Sequence, residues 1–194
     1  MEKVEFSSCI FSMDEGDMDE LVRLHDLYLN YGEGVRPHFE ETLRNPDSVA
    51  LKCVIGGKIA GFAIYVKGVF LSGGHEDICA SICEIAPREQ IWTGDALLVL
   101  PEYRRKGLDG EMIRKANKEI WKKGGRYALY ELWVHPDGQV PARHTPDVYA
   151  KKTKLGEYKD FYINFDHYGY FCPICKGECH CSAQLYLCEL EEGA

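Results

Sequence analysis

Hydrophobic positions along this chain recur at two spacings, and the changes between them divide it into elements. "DMDELVRLHDLYLNYG" opens with acidic residues, spaces Leu21, Leu24 and Tyr28 at helical intervals and stops near Gly32, which predicts a first helix. "RPHFEETLRN" predicts a short second helix with Pro37 near its start. "SVALKCVIGGKIAGFAIYVKGVF" is β-rich on both sides of Gly56-Gly57, a two-residue hairpin signal. Residues 71–91, "LSGGHEDICASICEIAPREQI", fit either a long loop or a short helix. In "WTGDALLVLP" the run from Ala96 to Leu100 is continuously apolar, as a strand buried on both faces requires.

The clearest helix follows. Met112, Ala116 and Ile120, with Ile113 and Trp121 beside them, make one apolar stripe, while Arg114, Lys115, Lys118, Lys122 and Lys123 face away. Glu111–Lys115 and Glu119–Lys123 are spaced as i,i+4 ion pairs, and Gly124-Gly125 ends the helix. "RYALYELWVHP" predicts another strand and "PDVYAKKTKLG" a weaker helix. The β-rich segments "EYKDFYINFDHYGYF" and "SAQLYLCEL" flank a cysteine cluster. Helices and strands intermix without repeats, so the pattern predicts an α/β (α+β) chain. Its 194 residues suit a single domain, 1–194, with a Cys-rich C-terminal hairpin at 168–190.

Composition narrows the classes. Hydrophobic content of 45% with 28% charged residues describes a globular chain and not a disordered one. A net charge of −8 argues against a nucleic-acid partner and is compatible with a cationic small substrate. No apolar run approaches the ~18 residues of a membrane span, and "MEKVEFSSCI" has no signal-like apolar core, so the expectation is a cytoplasmic protein with no membrane partner. A homodimer is compatible with the sequence.

Nine cysteines are many for a reducing compartment, and Cys172, Cys175, Cys179 and Cys181 lie within ten residues. "CPICKGECHC" begins with a C-P-x-C knuckle; in an extended segment residues 179 and 181 share a side and His180 faces away. Four thiolates meeting at a hairpin tip suit a structural zinc. Iron or an iron–sulfur centre uses the same ligands, His180 can stand in for Cys179 or Cys181, and a metal-free reduced turn is the simpler alternative.

The stretch "PEYRRKGLDGEMIRKA" sets Arg104, Arg105 and Lys106 against Gly107 and Gly110, with a helix apparently starting on the second glycine. Cations, a glycine turn and a helix N-terminus together make an anion site. A Walker loop is excluded because no Lys-Ser or Lys-Thr follows, and a dinucleotide fingerprint because a third glycine is missing. The stretch resembles the acetyl-CoA signature of the GNAT superfamily of N-acetyltransferases: V-x-P-x-Y, then R/Q-x-x-G-x-G/A. Val99, Pro101, Tyr103, Arg104 and Gly107 fall in register, and the order of elements over roughly residues 15–170 is also similar. The second small residue of the pattern is Asp109 here, with Gly110 one place late.

The resemblance implies a mixed, mostly antiparallel central sheet with two splayed parallel strands, flanked by helices. It implies acetyl-CoA as co-substrate, with backbone N–H groups of Arg105, Lys106, Gly107, Leu108, Asp109 and Gly110 cradling the pyrophosphate. Arg104 then orders the turn, and main chain at Leu97, Leu98 and Val99 pairs with the pantetheine arm. A carboxylate beside a pyrophosphate is repulsive unless Asp109 turns away to cap its helix. The implied reaction is acetyl transfer to a primary amine of a small molecule or peptide. It needs a base for the ammonium and an acid for the leaving thiolate. Asp95 and Glu131 are the nearest carboxylates by sequence, with Glu84 a third. The family's acid is a tyrosine on the last helix; its place holds Lys152, and Tyr149, about one turn earlier, is the candidate. A non-catalytic acyl-CoA sensor, or a protein centred on its metal, are the alternative functions.

Overall fold

The computed structural model describes residues 6–192. After a short first strand, β1 (Ile10–Ser12), come the two predicted helices, α1 (Met18–Tyr28) and α2 (Val35–Arg44). The hairpin is β2 (Ser48–Ile55) and β3 (Lys58–Lys67), turned at Gly56 and Gly57, whose φ of 58° and 76° are those of a tight primed turn. The ambiguous stretch contains a helix, α3 (Glu76–Ile85). The signature strand is β4 (Ile91–Val99), followed by α4 (Leu108–Lys122) and β5 (Tyr127–Val134). The chain closes with β6 (Lys152–Tyr158) and β7 (Ser182–Glu189).

The C-terminal third departs from the sequence reading. "PDVYAKKTKLG" is no helix: Thr145–Val148 forms one 3₁₀ turn, and Lys152 onward is strand β6. Thr153 and Gly156 are weak helix formers, and β7 offers an open edge that satisfies the backbone of this polar segment instead. Of "EYKDFYINFDHYGYF" only the first residues are strand. The remainder folds as turns around the 3₁₀ segment Phe165–Tyr168, burying Phe161 and Tyr162. The arms of the hairpin are therefore β6 and β7, and the cysteines sit in the excursion 159–181 between them. On α4 the acids pair at i,i+3, Glu111 with Arg114 and Glu119 with Lys122, because Lys115 and Lys123 reach out to the carbonyls of Ile10 and Pro46.

All seven strands form one sheet in the order β1-β2-β3-β4-β5-β7-β6. Every neighbouring pair is antiparallel except β4 and β5. That parallel seam runs only from Ile91↔Tyr127 to Gly94↔Tyr130, while β3 follows β4 as far as Val99 and β7 follows β5 as far as Val134. Beyond Gly94 and Tyr130 the sheet splits. This explains why Ala96, Leu97 and Val99 are only half-buried where continuous burial was expected. A bulge begins the split: Ile64 opposes Ala96 and Tyr65 opposes Gly94, leaving Asp95 unpaired.

The two faces of the sheet are covered differently. On one, Met112, Ile113, Ala116 and Ile120 of α4 pack on Ala63, Tyr65, Trp92 and Tyr130. On the other, Leu21, Leu24 and Phe39 of α1 and α2 pack on Phe62, Ile64 and Leu98. Each such fully buried side chain contributes about 1.5–3 kcal/mol. The same face continues past β5, where Ile82 of α3, Phe161 and Cys181 cover Leu129 and Leu185. Among the described residues no helix is long and apolar enough to cross a membrane.

Candidate functional site

The turn leaving β4 is built to present backbone amides. Pro101–Tyr103 forms a 3₁₀ turn, and Arg104 Nε donates to Val99 O at 2.8 Å, tying the turn to the end of its strand. Arg105 and Gly107 both have left-handed backbone, φ 58° and 83°. At Gly107 the glycine answers this φ and not crowding, since an added Cβ would meet nothing within 4 Å. Left-handed residues interleaved in a turn aim successive N–H groups into one concavity. Among the described residues no acceptor takes the amides of 105–110; the first satisfied amide is that of Glu111, on Gly107 O at 3.1 Å. The helix begins at Leu108, two residues before Gly110, with Leu108 and Gly110 buried beneath it. Asp109 lies in the first turn, half-buried, and makes no capping bond. Leu97 and Val99 face α4 and Leu98 faces α1 and α2, so β4 runs from the amide turn down to the split with one edge open.

At the split, the candidate carboxylates share a face. Tyr130 points to the α4 side, so Glu131, the next residue of β5, points to the other. Its Oε2 accepts the Ser72 amide at 2.9 Å, and the Tyr162 hydroxyl stands beside it. Burial raises the Glu131 carboxyl to about 7 against the lowering bonds from Ser72 and Tyr162. Asp95, on the bulge, accepts from His38 Nε2 of α2 at 2.8 Å. Burial lowers the His38 pKa, but the bond and the charge of Asp95 outweigh it and the net direction is up. Glu84 lies on α3.

Tyr149 is on the opposite face and off any helix, just after the 3₁₀ turn. It is buried, and its hydroxyl donates to Asn117 Oδ1 of α4 at 3.0 Å while meeting Tyr130 Oη at 2.5 Å. Tyr65 Oη lies 2.8 Å from Tyr130 Oη. With Tyr149 committed to Asn117, Tyr130 must donate to Tyr149 and Tyr65 to Tyr130, which fixes the direction of the chain. Burial pushes all three phenols up. Gly94 makes room for this cluster, because an added Cβ would lie 2.9 Å from the Tyr130 ring.

The four clustered cysteines do converge. The Sγ atoms of Cys172, Cys175, Cys179 and Cys181 all lie within 4.8 Å of one another. Cys181 Sγ is 3.8 Å from Cys172 Sγ and 3.7 Å from Cys175 Sγ. A tetrahedron of thiolates with metal–sulfur bonds of about 2.3 Å has edges of about 3.8 Å. The Cys175 amide points at Cys172 Sγ, 3.4 Å away, as in a metal knuckle. His180 turns out to Asp160, at 3.0 Å, and is no part of the cluster. Burial pushes Cys179 up to about 12 and Cys181 further, while at Cys175 burial is outweighed by hydrogen bonds and the net direction is down. A cation among the four favours their ionised forms.

Sequence reasoning missed His38, Ser72 and Tyr162. His38 flanks the buried Phe39 on a helix whose docking the sequence does not specify, and Tyr162 lay in a segment read as strand.

The sequence matches the family described as "Acetyltransferase (GNAT) family" over residues 18–146, from α1 to the turn before Tyr149. The chain belongs to the GNAT family. No curated protein matches it in sequence. Among solved structures, Arabidopsis thaliana NAA60 in complex with acetyl-CoA is 16% identical with a TM-score of 0.68, covering 94% of this chain and 98% of that one. An aminoglycoside 6'-N-acetyltransferase complexed with coenzyme A gives 15% and 0.61, covering 94% and 97%. The ribosomal-protein-S18-alanine N-acetyltransferase from Escherichia coli gives 15% and 0.61, covering 94% and 93%. At such identities the likeness is one of fold, and the GNAT fold is what this sheet, split between the parallel strands β4 and β5, reproduces. Family membership supports acetyl transfer from acetyl-CoA.

Proposed function

We propose that this chain moves the acetyl group of acetyl-CoA to a primary amine, using the split between β4 and β5 as its reaction cleft. The amides of 105–110 hold the pyrophosphate, with Arg105 and Lys106 adding charge at the rim, and the free edge of Leu97–Val99 pairs with the pantetheine arm. The thioester then lies between the tyrosines on one face and the carboxylates on the other.

The observation that carries this reading is Glu131. A half-buried carboxylate raised to about 7, one residue past the last parallel pair, is poised to take a proton from an arriving ammonium near neutral pH. The neutral amine attacks the thioester carbon, the C–N bond forms as the C–S bond breaks, the sulfur leaves as thiolate, and the nitrogen sheds its second proton. Tyr149 would return a proton to that thiolate by giving up the one it shares with Asn117, is re-protonated by the second proton that the amine nitrogen sheds, and is held in orientation by Tyr130 and Tyr65. Asp95, held by His38, gives the acceptor's entry a second negative charge, and with the net charge of −8 this favours a cationic acceptor.

The four thiolates fit a structural zinc, whose chemistry at a closed site is to cross-link and not to react. Free thiols throughout agree with a reducing compartment. The test is CoA release from acetyl-CoA across a panel of primary amines, polyamines and lysine peptides included. The proposal requires turnover with at least one amine and its loss in Glu131→Gln. Acetyl-CoA binding with no turnover on any amine would instead leave an acyl-CoA sensor.

A further inference from the structure

The cysteine excursion bonds to the loop between α1 and α2 and to the loop before α3, and it reaches β5 at Glu131. At one end, Phe171 exchanges two backbone bonds with Tyr31 between α1 and α2: its amide donates to Tyr31 O at 2.7 Å, and the Tyr31 amide to Phe171 O at 3.2 Å. The Gly34 amide donates to Gly169 O at 3.2 Å, just before α2, the helix that carries His38. The residue after Phe171 is the metal ligand Cys172. At the other end, Cys181 O accepts the Phe161 amide at 3.0 Å, and Phe161 is followed by Tyr162, beside Glu131. The Phe161 carbonyl bonds His75 Nε2 at 2.8 Å with the two rings stacked 3.8 Å apart, and three residues before His75 is Ser72, whose amide holds Glu131.

Neither an α-helix nor a β-ladder holds this segment, although Phe161 and Tyr162 are packed in the core and Tyr170 packs against the α1–α2 core. Between β6 and β7 its regular structure is one four-residue 3₁₀ turn and one isolated bridge. A long connection of that kind opens locally at low cost unless something closes it. We propose that a metal bound by Cys172, Cys175, Cys179 and Cys181 is the fastener of the acceptor side. It joins the end of the excursion anchored on α1–α2 to the end anchored on Glu131, so that this wall of the cleft exists only while the metal is bound. Tyr162 is, on this reading, a positioning residue for Glu131. The inference rests on the metal part of the function proposed above and is independent of which amine is acetylated.

Amide hydrogen exchange on the full chain, loaded with zinc and then stripped by a chelator under reducing conditions, tests it. The amides of Tyr31, Gly34, Ser72, Phe161 and Phe171 should lose protection by tenfold or more. Those of Lys67 and Leu100, bonded elsewhere in the sheet, should hold, and acetyl-CoA affinity should stay within about twofold. Cys175→Ser, at the half-buried ligand, should reproduce the stripped pattern in zinc. Unchanged protection after stripping would overturn the fastener while leaving the metal site intact. Loss of protection across the whole sheet would overturn it by making the metal a requirement of the fold. A reduced chain that takes up neither zinc nor iron would remove the metal itself, and the proposal with it.

Discussion

The two sides of the split are held by opposite means. The side proposed for acetyl-CoA is a local device: strand, turn and helix are continuous in the chain, and the unpaired amides belong to one short stretch, 105–110. The side proposed for the acceptor is a remote assembly, in which α2, the loop before α3, β5 and the excursion 159–181 meet from separate parts of the chain. A local device tolerates change around it because its geometry is fixed by backbone dihedrals. A remote assembly fails when any one of its attachments is lost. Damage to either side should therefore leave the other readable.

The sharpest division should come from Glu131→Gln. Turnover with an accepted amine should fall by about 10²–10⁴-fold, the usual worth of a positioned base, with acetyl-CoA binding by calorimetry unchanged. The pH profile sharpens it. Since burial raises this carboxyl to about 7, the base form is lost as pH falls through that value, and kcat/KM in the parent should drop about tenfold per unit below it. Stability supplies a check free of any substrate. A folded-state pKa raised above the unfolded one stabilises the protein fully below the unfolded value, and that contribution disappears as pH rises through about 7. Thermal melting should therefore show Glu131→Gln gaining on the parent at pH 8 relative to pH 5.

A smaller effect belongs on the other side. Gly107→Ala imposes a side chain on a φ of 83°, a strain of about 1–2 kcal/mol, and should weaken acetyl-CoA binding by about five- to thirtyfold. Protection at Tyr31 and Ser72 should not move. Smaller again, Asp109→Asn removes a carboxylate from beside the anion and should tighten acetyl-CoA about twofold to fivefold in the same titration. A loosening there would mean that Asp109 serves the ligand by some direct contact. If Gly107→Ala were to unsettle the acceptor face, the independence of the two sides would be lost.

The same contrast explains what could be read from the sequence. The amide turn was legible because Val99, Pro101, Tyr103, Arg104 and Gly107 act within a few residues of one another, and α4 because its apolar stripe has one period. The convergence of the four cysteines was legible by spacing alone. The last helix was misread because Lys152–Tyr158 takes its conformation from the edge of β7, far along the chain. The 3₁₀ fold of Phe165–Tyr168 and the pairing of His38 with Asp95 are likewise set by tertiary packing that no local pattern carries. Tyr149 likewise owes its surroundings to Asn117 on α4, two elements upstream.

The brevity of the seam between β4 and β5 also governs how this protein comes apart. Four residue pairs join a half-sheet of β1–β4 to a half-sheet of β5–β7–β6. Helix α4 packs on β2, β3 and β4, so the first half would keep its cover if the two were drawn apart. The second half would leave with the thiol knot, covered on one face by Phe161 and Cys181 and stripped of α4 on the other, which makes the line through Ile91–Gly94 and Tyr127–Tyr130 the natural tear of the molecule under tension.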